Sequence, residues 1–371
     1  MSHKLFIIAG EPSGDLHGAN LVKSILEKDS SVKIECWGGD KMADAGARVV
    51  KHVNDLAFMG FIEVIANIFE ILSNFELCRK QVAAFKPDAV VLIDYPGFNL
   101  RMAKHIHDMG IPVVYYISPQ IWAWKESRVN KVKKYVDHVY VILPFERAFY
   151  LKHGVNAEFV GHPLLDEIKE IPFNRNDFLA RHSIEGNRPI ICVLPGSRKQ
   201  EIKKILPQIS ALVEKFPNHQ IVVSKVRWQP KALYESILHN RVLLIEGDVY
   251  HLLHASEAAV VTSGTATLET ALIGTPQVVV YKANWLSIFI ARFLVKIRFI
   301  SLVNLIMDRE VVKELIQGGA TNNAITEALN DIIIGGSERE QILDSYRQLR
   351  GELGQSGASE IVATRLLKII E

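Results

Sequence analysis

Short apolar runs alternate along the chain with longer segments whose apolar residues recur every three or four positions. The runs at 5–9, 33–37, 89–93, 113–117 and 139–143 have strand length and nearly continuous hydrophobicity, as expected of parallel strands covered on both faces. The rhythm lapses over 166–188, a charged stretch with loop signals at Ile171-Pro172 and Gly186-Asn187-Arg188-Pro189. It restarts with runs at 190–194, 220–224, 242–245, 259–262 and 277–281. Two successive doubly wound α/β halves are predicted, over 1–165 and 186–340, followed by a helical tail over 341–371.

Composition narrows the function classes. At 371 residues the chain is too long for one small binding module. Lys and Arg number 43 against 41 Asp and Glu, a net charge of +2, so no overall basic field favours nucleic acid and phosphate recognition must be local. The three cysteines, Cys36, Cys78 and Cys192, form no Cys-x-x-Cys pair and fit a reducing compartment, with the cytoplasm as the default. The run at 5–9 is too short for a signal-peptide core.

Apolar residues make up 49% and mean hydropathy is +0.13, greasy for a cytosolic enzyme. Yet no stretch approaches the roughly 18 uninterrupted apolar residues of a membrane span. Two segments hold much of the excess. Over 61–77 the polar residues Glu63, Asn67, Glu70 and Asn74 form one narrow helical stripe, and the remainder, including Ile62, Ile65, Ile68 and Leu72, is apolar. A second core layer, a lipid substrate or a membrane surface is needed to cover so wide a face. The segment 286–307 is mostly apolar and carries Arg292, Lys296 and Arg298 with no acid, the composition of an interfacial helix. A basic run around Arg128, following Trp122-Ala123-Trp124, suits a phosphate, a headgroup or plain solvent.

Ligands of doubly wound sheets gather beyond the carboxyl ends of the strands. After 259–262 comes Ser263-Gly264-Thr265 and then a helix carrying Glu269. Gly264 admits close backbone approach, the helix-start amides favour an anion such as a diphosphate, and Glu269 is placed to accept from ribose hydroxyls. A plain helix cap with a solvated Glu is the alternative. After 190–194, Pro195-Gly196-Ser197-Arg198 forms a similar corner, with Arg198 either a bidentate phosphate ligand or a surface residue of a tight turn. Neither corner is a Gly-x-x-x-x-Gly-Lys-Ser/Thr loop.

In the first half, the loop containing Gly10, Gly14 and Gly18 lets a substrate phosphate lie against its backbone, while His17 reads as structural. Asp94 follows a buried strand, where partial desolvation makes it a better base toward a sugar hydroxyl; capping the next helix is the alternative. No Asp-x-Asp and no His-Glu-x-x-His occurs, so neither a metal nor another cofactor is expected.

Seven blocks in order carry a resemblance: Gly10-Glu11-Pro12-Ser13-Gly14-Asp15, Met59-Gly60-Phe61-Ile62-Glu63-Val64, Ile93-Asp94-Tyr95-Pro96-Gly97-Phe98-Asn99, Ser118-Pro119-Gln120-Ile121-Trp122-Ala123-Trp124, Gly161-His162-Pro163, Leu194-Pro195-Gly196-Ser197-Arg198 and Ser263-Gly264-Thr265-Ala266-Thr267-Leu268-Glu269. Together, extended by blocks at 301–306 and 310–315, they resemble the lipid-A-disaccharide synthase family. The resemblance implies a GT-B fold, two Rossmann-like doubly wound domains facing a central cleft, with the C-terminal tail packing back on the first. It implies an inverting glycosyltransferase joining UDP-2,3-diacylglucosamine to 2,3-diacylglucosamine 1-phosphate (lipid X), with release of UDP, in lipid A and lipopolysaccharide biosynthesis.

Carried over residue by residue, Asp94 becomes the base, and Arg198, Ser263, Gly264, Thr265, Glu269 and Asn304 line the donor side, joined by Gly196 and Ser197 from the corner that holds Arg198. Gly14, Ile62, Ile65, Ile68, Leu72, Arg128, Arg292, Lys296 and Arg298 are assigned to acceptor, lipid or membrane. Where the family often has a second acid after the Asp-x-Pro, this chain has Gly97. The expected location is cytoplasmic, peripheral to the inner membrane, with no nucleic-acid partner; a homodimer stays open. The competing readings are another GT-B UDP-GlcNAc transferase or epimerase, and a non-enzymatic peripheral protein binding lipid or nucleotide-sugar.

Overall fold

The computed structural model of the chain describes residues 2–56, 68–123, 125–169, 172–184, 188–239, 241–282 and 298–371. Contacts divide the chain into two compact units, Met1–Pro163 with Leu353–Glu371, and Leu164–Glu352.

The first unit is built on seven strands, β1 (Lys4–Ala9), β2 (Lys33–Gly38), β3 (Arg48–His52), β4 (Ala89–Ile93), β5 (Val113–Tyr116), β6 (His138–Val141) and β7 (Ala157–Phe159), in the order β3-β2-β1-β4-β5-β6-β7. The pairings are parallel. Side chains alternate across the sheet, and the hydrophobic runs are continuous because both faces are covered. Leu5, Ile7, Val91 and Ile93 face a layer that includes Leu21, Val22 and Ile25 of helix Pro12–Lys28 and Val362 and Leu366 of helix Ala358–Ile370. Phe6, Ile8, Val90 and Leu92 face Val82, Met102 and Ile106 on the other side, from helices Ile68–Phe85 and Pro96–Asp108. Each such buried aliphatic side chain is worth about 1.5–3 kcal/mol relative to exposure.

The second unit repeats the design with β8 (Ile190–Leu194), β9 (Gln220–Lys225), β10 (Leu243–Glu246), β11 (Ser256–Thr262), β12 (Gln277–Tyr281) and β13 (Glu314–Ile316), in the parallel order β10-β9-β8-β11-β12-β13. Strands β3, β7 and β13 escape the hydrophobic pattern. All three are at or near sheet edges, are short, and include half-exposed positions, so they lack a continuous apolar run. The charged stretch beyond 163 contains two short helices, Leu164–Lys169 and Arg175–Arg181, the second anchored by the fully buried Phe178. One apolar anchor in a seven-residue helix gives no readable period.

Three features of the helix Ile68–Phe85 set its buried side: Phe75, Cys78 and Val82, spaced three and four apart. Asn74, expected on the solvent stripe, is buried, whereas Leu72 is 54% exposed. Among the described residues no helix is long and apolar enough to cross a membrane. Cys36, Cys78 and Cys192 are free and buried.

The glycines after β1, Gly10 in the short loop and Gly14 in the first turn of helix Pro12–Lys28 rather than in a loop, serve internal packing. A Cβ on Gly10 would lie 2.2 Å from the Tyr95 ring, and one on Gly14 would lie 3.2 Å from the Ala9 Cβ, so both glycines let neighbours close in. Asp15, 6% exposed, accepts from the amides of Gly39 (2.6 Å), Lys41 (3.2 Å) and Met42 (3.2 Å), and thereby caps the helix Asp40–Asp44 across space. Asp15→Ala strands three amides and is expected to cost about 3 kcal/mol, read as a fall in the urea midpoint at unchanged slope.

Candidate functional site

In both sheets the strand order turns back at one place, between β1 and β4 and between β8 and β11. Chain segments leaving those strand ends diverge to opposite faces and open a crevice there. The candidate chemistry of each unit lies at its own turning point.

In the first unit, Asp94 directly follows β4 and adopts the left-handed region (φ 43°), as does Tyr95 (φ 49°). Two consecutive non-glycine residues in this region are costly and must be held by their surroundings. The Tyr115 hydroxyl donates to the Asp94 carbonyl at 2.6 Å, Asn99 Nδ2 donates to it at 2.8 Å, and the Asp94 amide donates to the Ile117 carbonyl at 3.2 Å. The helix Pro96–Asp108 begins behind Tyr95 in the cap position, so Asp94 is not its cap residue. Burial, reinforced by the Glu11 carboxylate and opposed by the Tyr95 amide, pushes the Asp94 carboxyl up to about 6. Glu11 is thus a second acid beside Asp94, from the loop after β1. Nothing in the sequence spacing marked it, beyond its place at the other strand end of the same turning point.

Glu146 was likewise invisible in the sequence. It is 1% exposed and accepts from Trp122 Nε1 (3.0 Å), the Ser118 hydroxyl (3.4 Å) and the amides of Leu143 (3.0 Å) and Ile142 (3.3 Å). Burial raises its carboxyl to about 7 against those bonds. It ties the Ser118-to-Trp122 segment to the helix Pro144–Lys152. His17 is half-buried near the buried His162; desolvation first, then Lys41, lowers it to about 4, so it stays neutral at physiological pH. Arg128 is half-buried, lowered by burial and the nearby Arg101.

The second unit carries a cavity of about 620 Å³. Gly196, Ser197 and Arg198 after β8 and Ser263, Gly264 and Thr265 after β11 all line it, and so does Glu269. The fold therefore brings both expected phosphate corners into one space. The Arg198 side chain is 74% exposed. Glu201 reaches back over the first corner, and its Oε2 accepts from the Ser197 and Arg198 amides, each at 3.2 Å. Trp228 Nε1 (3.1 Å) and Gln229 Nε2 (3.4 Å) donate to the Ser197 carbonyl. Burial, with Glu167 adding negative charge, raises the Glu269 carboxyl to about 7. Either protonation form can accept from a hydroxyl.

Asn304 does not line this cavity. Its Nδ2 donates to the Val312 carbonyl (2.8 Å) and Glu314 (2.9 Å), and its Oδ1 accepts from the amides of Val311 (2.8 Å) and Val312 (3.0 Å). It reaches the cavity at one remove: Glu314 also accepts from the Ile300 amide, whose carbonyl accepts from the Ser263 hydroxyl at 2.7 Å. Arg298 is exposed, with its guanidinium 4.9 Å from the Phe299 ring centroid. Ile62, Ile65, Arg292 and Lys296, and the side chain of Ile68, lie outside the described residues. Among the described residues no three His, Cys, Asp or Glu side chains gather as a metal site would require.

A family model described as Lipid-A-disaccharide synthetase matches residues 5–366. The lipid-A-disaccharide synthase of Coxiella burnetii is 36% identical over 375 residues, covering 100% of both chains. That of Syntrophus aciditrophicus is 38% identical over 380 residues, covering 100% of this chain and 99% of its own. Among solved structures, a UDP-GlcNAc 2-epimerase from Neisseria meningitidis bound to UDP-GlcNAc superposes with a TM-score of 0.68 at 16% identity, covering 98% of this chain and 100% of its own. The glycotransferase of kitacinnamycin gives 0.69 at 12% identity, covering 100% of both. At those identities the structures show the fold alone, two parallel-sheet α/β units of GT-B type.

The raised carboxyl of Asp94 has a stability signature. Below its usual value of 3.8 it is protonated folded or unfolded; above about 6 it must ionise in a partly desolvated place, which the unfolded chain avoids. Asp94→Asn is therefore expected to be more stable than the wild type by ~1–2 kcal/mol at about pH 7.5, with the gain gone by about pH 4, read by denaturant melts across pH.

Proposed function

The chain belongs to the lipid-A-disaccharide synthase family, and from that premise we propose that Asp94 is the base of its glycosyl transfer and that the cavity beside Gly196 and Ser263 holds the UDP moiety of the donor. The protein is a glycosyltransferase of lipid A biosynthesis, acting on a UDP-sugar and lipid X. The observation that carries the residue assignment is the half-buried carboxyl of Asp94, directly after β4 at the turning point of its sheet and raised to about 6. A base poised just below working pH is ionised and still basic enough to take a hydroxyl proton as it is lost.

In this reading the Asp94 carboxylate removes the proton from the 6-hydroxyl of 2,3-diacylglucosamine 1-phosphate. The freed oxygen forms a bond to the anomeric carbon of UDP-2,3-diacylglucosamine from the face opposite UDP. The bond from that carbon to the diphosphate oxygen breaks, and its electron pair leaves with UDP. Inversion gives the β-1,6 disaccharide 1-phosphate, and Asp94 passes its proton to water. Arg198 and the amides after Ser263 meet the charge developing on the leaving diphosphate, and Glu269 accepts from the ribose hydroxyls. Tyr115 and Asn99 act through Asp94: they hold its backbone in the conformation that directs the carboxyl.

The acyl chains and the inner face of the membrane are assigned to the segments at 61–77 and 286–307. The exposed Leu72, 54% in water on a helix whose packed side is Phe75, Cys78 and Val82, agrees with this assignment, which rests on the composition of the two segments. Arg298, within the second segment, and Arg128 supply local cationic charge.

Purified protein incubated with UDP-2,3-diacylglucosamine and lipid X should yield UDP and a disaccharide phosphate. For the wild type, kcat/KM should rise with pH through about 6 and then level. Asp94→Asn should lower kcat by about 10²–10⁴-fold; near-normal turnover with an unchanged pH profile would remove Asp94 as the base. Replacing Ile62, Ile65, Ile68 and Leu72 by serine should move the protein from the membrane pellet to the supernatant with its far-UV spectrum intact. Loss of folding would instead assign that face to the core.

A further inference from the structure

The two corners of the donor cavity are not equivalent. Among the described residues no side chain caps the amides after Gly264, whereas those of Ser197 and Arg198 carry the Glu201 carboxylate, with Oε2 at 3.2 Å from each. We propose that Glu201 is an internal anion occupying the diphosphate position of the donor cavity in the unliganded protein, and that the nucleotide displaces it, so that Glu201 sets the affinity for UDP and hastens its release. This rests on reading the cavity as the UDP site.

Several observations converge. Gly196 sits in the left-handed region (φ +94°), and a Cβ there would lie 2.4 Å from Glu201 Oε2. The absence of a side chain at 196 is what lets the carboxylate fold over the loop. Glu201, Gly196, Ser197 and Arg198 all line the cavity, so the carboxylate stands inside the space a ligand would enter. The Arg198 guanidinium lies 3.9 Å from Glu201 Oε1 with its side chain 74% exposed, a loose ion pair that leaves the cation available to another anion. Trp228 and Gln229 hold the Ser197 carbonyl independently, so the loop keeps an anchor when the carboxylate leaves.

The competition follows from elementary electrostatics. An amide N–H satisfies one strong acceptor, so a phosphate oxygen on Ser197 and Arg198 requires Glu201 to let go. A carboxylate remaining beside the diphosphate would set like charges together in a partly desolvated space, where they repel more strongly than in water. Nucleotide binding therefore gives up two charge-assisted bonds, and product release regains them. Uridine, which carries no phosphate, never meets this exchange.

Calorimetric titration of wild type and Glu201→Gln with UDP and with uridine tests this. A neutral amide oxygen still caps the helix but no longer repels phosphate. The variant should bind UDP about tenfold more tightly, bind uridine as the wild type does, and show correspondingly stronger product inhibition by UDP at a lower KM for the UDP-sugar. Weaker UDP binding by the variant would make Glu201 an organiser of the site and overturn the inference, leaving the cavity assignment intact. A wild type that binds no UDP would overturn the cavity assignment and the inference with it. If Glu201→Gln does not fold, a wild-type crystal structure with UDP decides. A phosphate oxygen on the Ser197 and Arg198 amides, with the carboxylate withdrawn, is the expected result; the carboxylate still seated on both amides overturns the proposal.

Discussion

In a parallel sheet every strand ends on the same edge, and the chain must cross back over one face or the other before it can begin the next. Where the order of strands reverses, the outgoing segments part to opposite faces and expose a crevice lined by backbone amides and by whatever residues follow the strands. Each unit here has one such place, at β1/β4 and at β8/β11. At the first, the loop after β1 brings Gly10 against the Tyr95 ring and Glu11 near Asp94, and the Gly196 and Gly264 corners meet at the second. The rest of each unit, the alternating apolar faces and the helices that cover them, keeps those strand ends in register.

Holding reactive groups at strand ends has a conformational cost, and the structure shows where it is met. Asp94, Tyr95 and Ile117 all take left-handed backbone angles unusual for residues with side chains. Tyr115 and Asn99, both buried, supply the hydrogen bonds that offset this by satisfying the Asp94 carbonyl, while Asn99 also reaches the Ile93 carbonyl at 3.1 Å. The glycines of the first loop are used for the same end, since Gly10 accepts the Tyr95 ring.

Three carboxyls, the buried Glu146 and the half-buried Asp94 and Glu269, are raised to between about 6 and about 7, in each case chiefly by desolvation. Their partners separate them. Glu146 is surrounded by four donors and is fully committed to joining two segments. Asp94 and Glu269 each face another acid, Glu11 and Glu167, and stand at strand-end crevices, so their elevated values are available to chemistry and to ligands.

The sequence by itself determined the doubly wound α/β architecture, because a strand buried on both faces must be apolar at consecutive positions and a covering helix at every third or fourth. It also determined the glycine corners after β8 and β11 and the ordered blocks that mark the family, since each is written within a few adjacent residues. Tertiary structure decided what those residues face. Glu11 stands by Asp94, Glu146 takes the Trp122 indole, and Asn304 turns its whole amide inward to Val311, Val312 and Glu314. Likewise Asn74 is buried while Leu72 is exposed. The physical reason is that a buried amide or carboxyl must find a partner wherever the fold brings one, and strand order, rather than spacing along the chain, decides which partners meet.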